Sequence, residues 1–374
     1  MALTGAMSAA ITGLKAHMDA LNVVGNNVAN VNTYGYKAGR VTFRESIYST
    51  QSAGAAGTQA TGGTNPRQIG YGTSVGTIDL DMATSSLEST GYNLDVAIQG
   101  DGFFLVGPKN LDINSMEAVK SLSFSKVGDF RFDADGYLVD GAGNVVYGFM
   151  ASNGTPDPNN PNLVPGGADE PGVSTDLVPI RLPMKSTDPN TLNDAIYVGV
   201  DADGRNIYPD DAGAATVDTV DGCVTLENIS IDENGCITGT NKDTGDPVVV
   251  GYLALGTVAN PNGLLHTDGP YYTAAEAAGD ARVFAPNSSV TGNLMNGQIE
   301  DPNGGGGGGA NVDPNSALAA NSEVGLMPGF LEASGTDLAT EFSNMIIYQR
   351  GYQANTRIIT VTDSMLEELV NIKR

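Results

Sequence analysis

Three acidic turns are the first groups in the chain whose spacing could do chemistry. The tetrapeptide DADG occurs at 133–136 and again at 201–204, and DENG occupies 232–235. Asp residues ahead of a glycine occur in calcium loops, which also need a third oxygen ligand before the glycine and a bidentate Glu near the end. None of the three stretches has that pattern. Because Asp-Gly and Asn-Gly between alternating apolar residues are typical of hairpins, we predict hairpin turns and no metal site.

Histidine and cysteine are scarce. The chain has two histidines, His17 and His266, and two cysteines, Cys223 and Cys236. The histidines lie near opposite ends of the sequence, and the cysteine spacing matches no zinc pattern. The sequence also has no Gly-x-Ser-x-Gly elbow, phosphate loop or HExxH motif. We therefore predict no catalytic residue, no cofactor and no metal, and interpret the cysteines as buried free thiols that are not cross-strand partners.

The net charge of the chain restricts the classes of molecule that it can bind. The 374 residues carry a formal net charge of −25. Between residues 151 and 300 there are 21 Asp and Glu residues against 5 Lys and Arg residues. Nucleic acid and anionic membranes would be repelled by such a chain, so we predict neither as a partner. The first residues lack the basic and apolar regions of a cleaved signal peptide, and no stretch approaches the length of a membrane span.

Both ends of the chain have helical periodicity. Near the N-terminus, apolar residues recur in steps of three and four, but glycines at 5, 13 and 25 make an isolated helix marginal. A second pattern runs from Leu338 to Ile372 without proline and with Gly351 as its one glycine. We predict two terminal helices that form a coiled coil, either within one chain or between subunits. The predicted seam residues are Leu3, Met7, Leu14, Leu21, Val24 and Val28 at the N-terminus, and Leu338, Phe342, Met345, Tyr352, Ile359, Leu366 and Val370 at the C-terminus.

Between the helices the period changes to two, which predicts strands joined by Gly and Asp-Gly turns. The predicted fold is mixed but mainly β: nested β domains with terminal α-helices. We assign 1–30 and 335–374 to a helical domain, and 31–71 and 311–334 to extended connectors. An inner β domain spans 72–150 and 247–310, and an acidic outer β domain is inserted at 151–246. A run of six glycines within 301–315 predicts a flexible or irregular connector.

The stretch GNNVANVNTYGYK, residues 25–37, ends the first helical pattern. Its asparagines could simply be capping and turn residues. We expect the first of them to lie on the last turns of the helix and residues 30–35 to turn the chain away. The residues that we interpret as a hinge are Asn26, Asn27, Asn30, Asn32, Gly35, Tyr36 and Lys37.

Three long stretches carry a family resemblance. TGLKAHMDALNVVGNNVANVNTYGYKAGRVTF (12–43), LESTGYNLDVAIQGDGFFLV (87–106) and PGFLEASGTDLATEFSNMIIYQRGYQANTRIITVTDSMLEELVNIKR (328–374) resemble the signatures of bacterial flagellar rod and hook proteins. They cover about a quarter of the chain in the expected order. At 334–339, SGTDLA departs from the usual residues before the Asp, which affects only the local helix entry. The length and the acidic insertion resemble the hook branch, and the distal rod branch is the alternative.

The resemblance implies a self-assembling structural protein. Terminal helices would line a tube around an export channel, and the tube would act as a flexible universal joint that transmits torque from rod to filament. Implied partners are further copies of the chain, the distal rod, hook cap and hook–filament junction proteins, and the flagellar type III export apparatus. Implied localisation is extracellular, without signal-peptide cleavage.

Other classes and one modification stay open. A secreted glycan-binding adhesin, a β-rich hydrolase or a calcium-dependent module would also suit an acidic β protein. In some spirochaete members, neighbouring hook subunits are cross-linked through a cysteine and a lysine. The resemblance therefore allows a link from Cys223 or Cys236 to Lys185 or Lys242 of a neighbour, although free buried thiols are the preferred interpretation.

Overall fold

The structure is a computed structural model. It describes residues 2–57, 62–109, 121–152, 163–164, 172–174, 177–186, 195–196, 220–243, 245, 247–279, 281–284, 286, 293–295, 298–300 and 324–372. The turn predicted at 201–204 and the six-glycine run lie outside these residues. Contacts divide the chain into two compact units, Met1–Asp81 with Ser334–Arg374, and Met82–Ala333.

The two predicted terminal helices are confirmed: α1 spans Ala2–Ala29 and α2 spans Leu338–Ile372. Asn30 caps the end of α1, because its Nδ2 donates to the carbonyl oxygen of Asn26 over 2.9 Å. Asp337 caps the start of α2, where its Oδ1 accepts the backbone N–H of Ala339 over 3.0 Å. Hydrogen bonds from Thr340 and Ala339 lower the pKa of the Asp337 carboxyl. Neither described helix is long and apolar enough to cross a membrane.

The first unit also contains four strands: β1 (Gly39–Glu45), β2 (Tyr48–Ser52), β3 (Arg67–Gly70) and β4 (Thr73–Leu80). β1 pairs antiparallel with β4, and β2 with β3. The predicted inner-domain boundary at residue 72 is therefore wrong, because β4 has its strand partner in this unit. The segment 31–71, predicted as a connector, supplies the other three strands.

The second unit is built from short antiparallel strands. They are β5 (Leu87–Ser89), β6 (Val96–Gln99), β7 (Phe103–Gly107), β8 (Ser123–Ser125), β9 (Arg131–Phe132), β10 (Leu138–Val139), β11 (Val145–Ser152), β12 (Leu163–Val164), β13 (Gly172–Ser174), β14 (Val178–Pro179), β15 (Met184–Ser186), β16 (Ala195–Ile196), β17 (Val220–Cys223), β18 (Leu226–Ile231), β19 (Cys236–Asn241), β20 (Pro247–Leu253), β21 (Leu255–Val258), β22 (Leu264–His266), β23 (Tyr271–Ala274), β24 (Ala281–Phe284), β25 (Asn293–Met295), β26 (Gln298–Glu300), β27 (Gly325–Pro328) and β28 (Phe330–Glu332).

Its largest sheet follows the order β18-β19-β20-β11-β7-β8-β23-β22. A continuous apolar core packs on this sheet and includes Phe104, Val146, Ile237, Val250 and Leu326. The predicted mainly β fold with terminal helices is thus confirmed. β18 and β19, which we expected in a separate outer domain, are hydrogen-bonded into the same sheet as β20, and Ile237 lies in the same core. The described part of 223–241 is therefore not a separate domain.

The two acidic turns that the structure describes form hairpins, as predicted. In the first turn, Asp133 Oδ1 accepts the backbone N–H groups of Asp135 and Tyr137 at 3.0 and 2.7 Å. In DENG, Asp232 Oδ1 accepts the N–H groups of Asn234 and Cys236 at 2.9 and 2.8 Å. Because these carboxylate oxygens already accept two backbone donors each, their role in the fold is to close the turns.

Candidate functional site

The helix pair of the first unit holds the residues that the sequence singled out. On α1 the buried side is made of small or polar residues, namely Ala10, Gly13, Ala16, Ala20, Val24 and Asn27. Of the predicted α1 seam, Val24 is buried, whereas Met7, Leu14, Leu21 and Val28 are half-buried, and Leu3 lies in the first turn. The small residues on this side let the two helix backbones approach closely, and a role of the seam in self-assembly stays a prediction.

Three contacts establish the relative direction and register of α1 and α2. A Cβ placed on Gly13 would lie 2.9 Å from Asn355 Nδ2, and one on Gly351 would lie 2.6 Å from the His17 ring. Near the other end, Asn27 Nδ2 donates to Glu341 Oε1 over 3.1 Å. As the residue number rises along α1, that of its partner falls by the same steps on α2. The helices are therefore antiparallel in a single register, and we call these six residues the terminal joint.

Asn27 is the most connected residue of the joint, and it is 1 % exposed. Its Nδ2 also donates to the Gly39 carbonyl oxygen over 2.8 Å. Its Oδ1 accepts the Tyr36 hydroxyl and the Gly39 N–H, both over 3.0 Å. This one amide thus connects the end of α1, the turn that follows, the start of β1 and the first part of α2.

Glu341 is a buried carboxylate in the first turn of α2, where the helix dipole favours a negative charge. Its Oε2 atom is buried and has no hydrogen-bond partner among the described residues. Burial raises the pKa of the neighbouring Tyr36 hydroxyl, and the Glu341 charge adds to that shift. The same two causes raise the pKa of Tyr348. An uncompensated oxygen of this kind makes the joint sensitive to the loss of Asn27.

His17 lies at the middle of the joint, where Gly351 leaves room for its ring. The imidazole centroid is 5.6 Å from that of Phe43 on β1 and 6.1 Å from that of Tyr348 on α2. The Phe43 and Tyr348 rings are themselves 5.9 Å apart. One helix, one strand and the second helix therefore meet at a cluster of three rings.

The predicted seam of α2 is not used within the chain. Five of its members are exposed, namely Leu338, Phe342, Tyr352, Leu366 and Val370, and two are half-buried, Met345 and Ile359. α2 instead turns its polar residues toward α1. Within the chain, Glu341, Gly351 and Asn355 make the contact with α1, and pairing of the seam between subunits stays a prediction.

The asparagine-rich stretch is a turn with a buried core. Asn26 and Asn32 are exposed, whereas Asn27 and Lys37 are each 1 % exposed. Gly35 is buried with φ of 67°, a conformation that disfavours other residues. Tyr36 is half-buried, and Asn30 is the α1 cap. The stretch therefore caps the helix and reverses the chain, and its Asn27 is hydrogen-bonded to Glu341 of α2.

The thiols differ from each other. Cys236 is buried, but Cys223 is half-buried, so the prediction of two buried thiols is wrong for Cys223. The two cysteines lie opposite residues of different strands: Cys223 is opposite Met184 on β15, and Cys236 is opposite Tyr252 on β20. Among the described residues, no cluster of three His, Cys, Asp or Glu side chains could hold a metal ion.

Comparison with known proteins assigns the family. The flagellar basal-body rod protein FlgG of Bacillus subtilis is 31% identical over 364 residues, covering 97% of each chain. The chain belongs to the flagellar rod and hook family. Two family profiles lie at its ends: "Flagella basal body rod protein" matches residues 7–37, and "Flagellar basal body rod FlgEFG protein C-terminal" matches 327–372. Both matches include residues of the terminal joint.

Hook proteins of the family are also similar along their whole length. The flagellar hook protein FlgE of Borreliella burgdorferi is 27% identical, covering 97% of this chain and 98% of its own. That of Salmonella typhimurium is 28% identical, covering 98% and 99%. A crystal structure of Helicobacter pylori flagellar hook protein FlgE2 overlaps 52% of this chain and 95% of its own, at 12% identity and a TM-score of 0.29.

Proposed function

We propose that this member of the family is a structural subunit of the flagellar hook, which self-assembles into a tube and acts as a flexible joint between rod and filament. In this proposal the tube encloses the export channel. The chain contacts further copies of itself and the distal rod, hook cap and junction proteins, after export without signal-peptide cleavage to the cell exterior. It has no catalytic role.

The observation that carries the proposal is the exposed seam of α2. A helix of 35 residues is about 50 Å long, and large apolar side chains are exposed along its length. Leu366 is 40% exposed, Val370 68% and Ile372 80%. Water contact along such a helix is unfavourable, and burial against neighbouring copies would remove it.

The distribution of charge supports the same proposal. The first unit contains nine Lys and Arg residues and nine Asp and Glu residues, so it has no net formal charge. The whole net charge of −25 therefore belongs to the second unit. Copies can pack through neutral units without the repulsion that acidic ones would suffer, which supports assembly through the unit that contains the terminal helices.

A charge placed in the α2 seam tests self-assembly. Leu366→Glu should abolish polymers formed by the full chain, because the new carboxylate would be buried at the interface. Ser364→Glu is the matched control, since Ser364 is also exposed but lies outside the seam. Electron microscopy and sedimentation would compare the two variants with the wild type. If Leu366→Glu forms tubes as the wild type does, the seam is not the assembly surface.

The distal rod is the second candidate, and the match to the Bacillus subtilis rod protein favours it. We expected rod proteins to be shorter and to lack the acidic insertion, but this relative aligns over 364 residues of a 374-residue chain. Immunogold labelling of isolated flagella separates the two proposals. Label on the curved segment outside the envelope supports the hook, whereas label confined to the segment inside the envelope supports the rod.

A further inference from the structure

His17 is the half-buried histidine of the terminal joint. The Nδ1 atom is buried and has no hydrogen-bond partner among the described residues. On the opposite helix, Gly351 approaches so closely that an added Cβ would lie 2.6 Å from both Cε1 and Nε2. Phe43 and Tyr348 flank the ring at 5.6 and 6.1 Å. The ring is therefore half-buried and packs against one glycine and two aromatic side chains.

The charged groups around His17 have other partners or are exposed to solvent. On β1, Arg44 Nε donates to Ser74 Oγ, and Glu45 accepts the Tyr48 hydroxyl. On α2, Glu341 lies two turns before Tyr348 and accepts from Asn27. The remaining charged neighbours in sequence are exposed: Lys15 and Asp19 on α1, Arg40 on β1, and Arg350 on α2. No described ion pair includes His17.

The two protonation states differ in what they bury. A neutral ring with its proton on Nε2 buries only a lone pair at Nδ1. An imidazolium must bury an N–H donor at the same atom, and an unsatisfied donor of a charged group is costly. The tilted faces of Phe43 and Tyr348 attract a cation, but burial outweighs that attraction and lowers the pKa of His17 below its usual value of 6.5.

We propose that His17 is a pH-sensitive element of the terminal joint, and that acidification charges its ring and weakens the packing of α1 against α2 and β1. The stabilising effect of neutral His17 is fully present above pH 6.5 and is lost as the pH falls through the lower folded-state pKa. The proposal concerns contacts within one chain and does not depend on the hook assignment.

Two measurements on the full chain test the proposal. Because the chain has only two histidines, a His266→Gln variant leaves a single imidazole signal for an NMR titration. We expect the His17 midpoint below pH 6.5. Thermal melting followed by circular dichroism at 222 nm should show the helical transition moving to lower temperature between pH 7.5 and pH 5.

His17→Phe keeps a ring in the site but cannot titrate, so its helical transition should lose this pH dependence. His17→Gln should lose it as well, which guards against poor packing of the larger ring. His266→Gln should behave as the wild type. A His17 midpoint at or above pH 6.5, or an unchanged pH dependence in both His17 variants, would overturn the proposal.

Discussion

Asn27 and Glu341 lie at opposite ends of the sequence, and their side chains are joined by a buried hydrogen bond of 3.1 Å. Both polar atoms of the Asn27 side-chain amide, Nδ2 and Oδ1, form hydrogen bonds. Glu341 has one buried carboxylate oxygen without a partner among the described residues. The bond therefore couples the end of α1 to the start of α2.

Replacing Asn27 with Ala should destabilise the first unit strongly. The change removes four hydrogen bonds and leaves the buried Glu341 carboxylate without a donor, so we expect a loss of about 2–4 kcal/mol in the free energy of unfolding. Urea unfolding followed at 222 nm measures it. Asn32→Ala is the control, because Asn32 is exposed and should change stability by less than about 0.5 kcal/mol. Equal effects of the two changes would contradict a central role for Asn27.

Gly351→Ala should destabilise the helix pair although alanine is the better helix former. In an exposed helix this change would stabilise by about 1 kcal/mol. Here the added methyl would lie 2.6 Å from the His17 ring, and overpacking of this kind costs about 1–3 kcal/mol.

A double-mutant cycle isolates that contact. His17→Ala removes the ring, so Gly351→Ala in that background should become neutral or stabilising. Denaturant midpoints of the four proteins give the coupling. If Gly351→Ala has the same effect with and without His17, the close approach of the two residues is not what determines its cost.

The sequence predicted where the two helices begin and end better than it predicted which residues they pack against. The bounds of α2 follow from a stretch free of proline and from Asp337, whose capping chemistry is local. The seam from Leu338 to Val370 is equally apolar whether its partner lies in the same chain or in another copy, so periodicity could not decide between them. The true internal contact uses Gly13, Gly351 and the Asn27–Glu341 pair, which depends on backbone approach.

Strand assignments show the same limit. Hairpins at Asp133 and Asp232 were predictable because one carboxylate closes each turn within a few residues. The partner of β4 was not, since alternation from Thr73 to Leu80 indicates a strand but does not specify that it pairs with β1.

Asp129→Asn should stabilise the second unit at pH 7. Burial raises the pKa of the Asp129 carboxyl, and the nearby Asp140 and Asp95 charges add to the shift. A raised folded-state pKa means that the stabilising effect of the protonated form is present below the usual value of 3.8 and is lost as the pH rises through the folded pKa. The melting temperature of Asp129→Asn should therefore exceed that of the wild type at pH 7 and approach it at pH 3.5. Asp268→Asn, in a turn, is the control.

Salt should promote assembly of the full chain. The second unit carries the whole net charge of −25, so neighbouring copies repel each other at low ionic strength. The Debye length falls from about 30 Å at 0.01 M salt to about 3 Å at 1 M, which screens this repulsion without weakening apolar contacts of the α2 seam. The concentration above which polymers sediment should therefore fall as sodium chloride is raised. High salt should not restore polymer formation by Leu366→Glu. In that variant the obstacle is the cost of desolvating the new carboxylate at the interface, which salt does not screen. Polymers that dissolve as salt is raised would instead show that charge pairs between copies hold the assembly together.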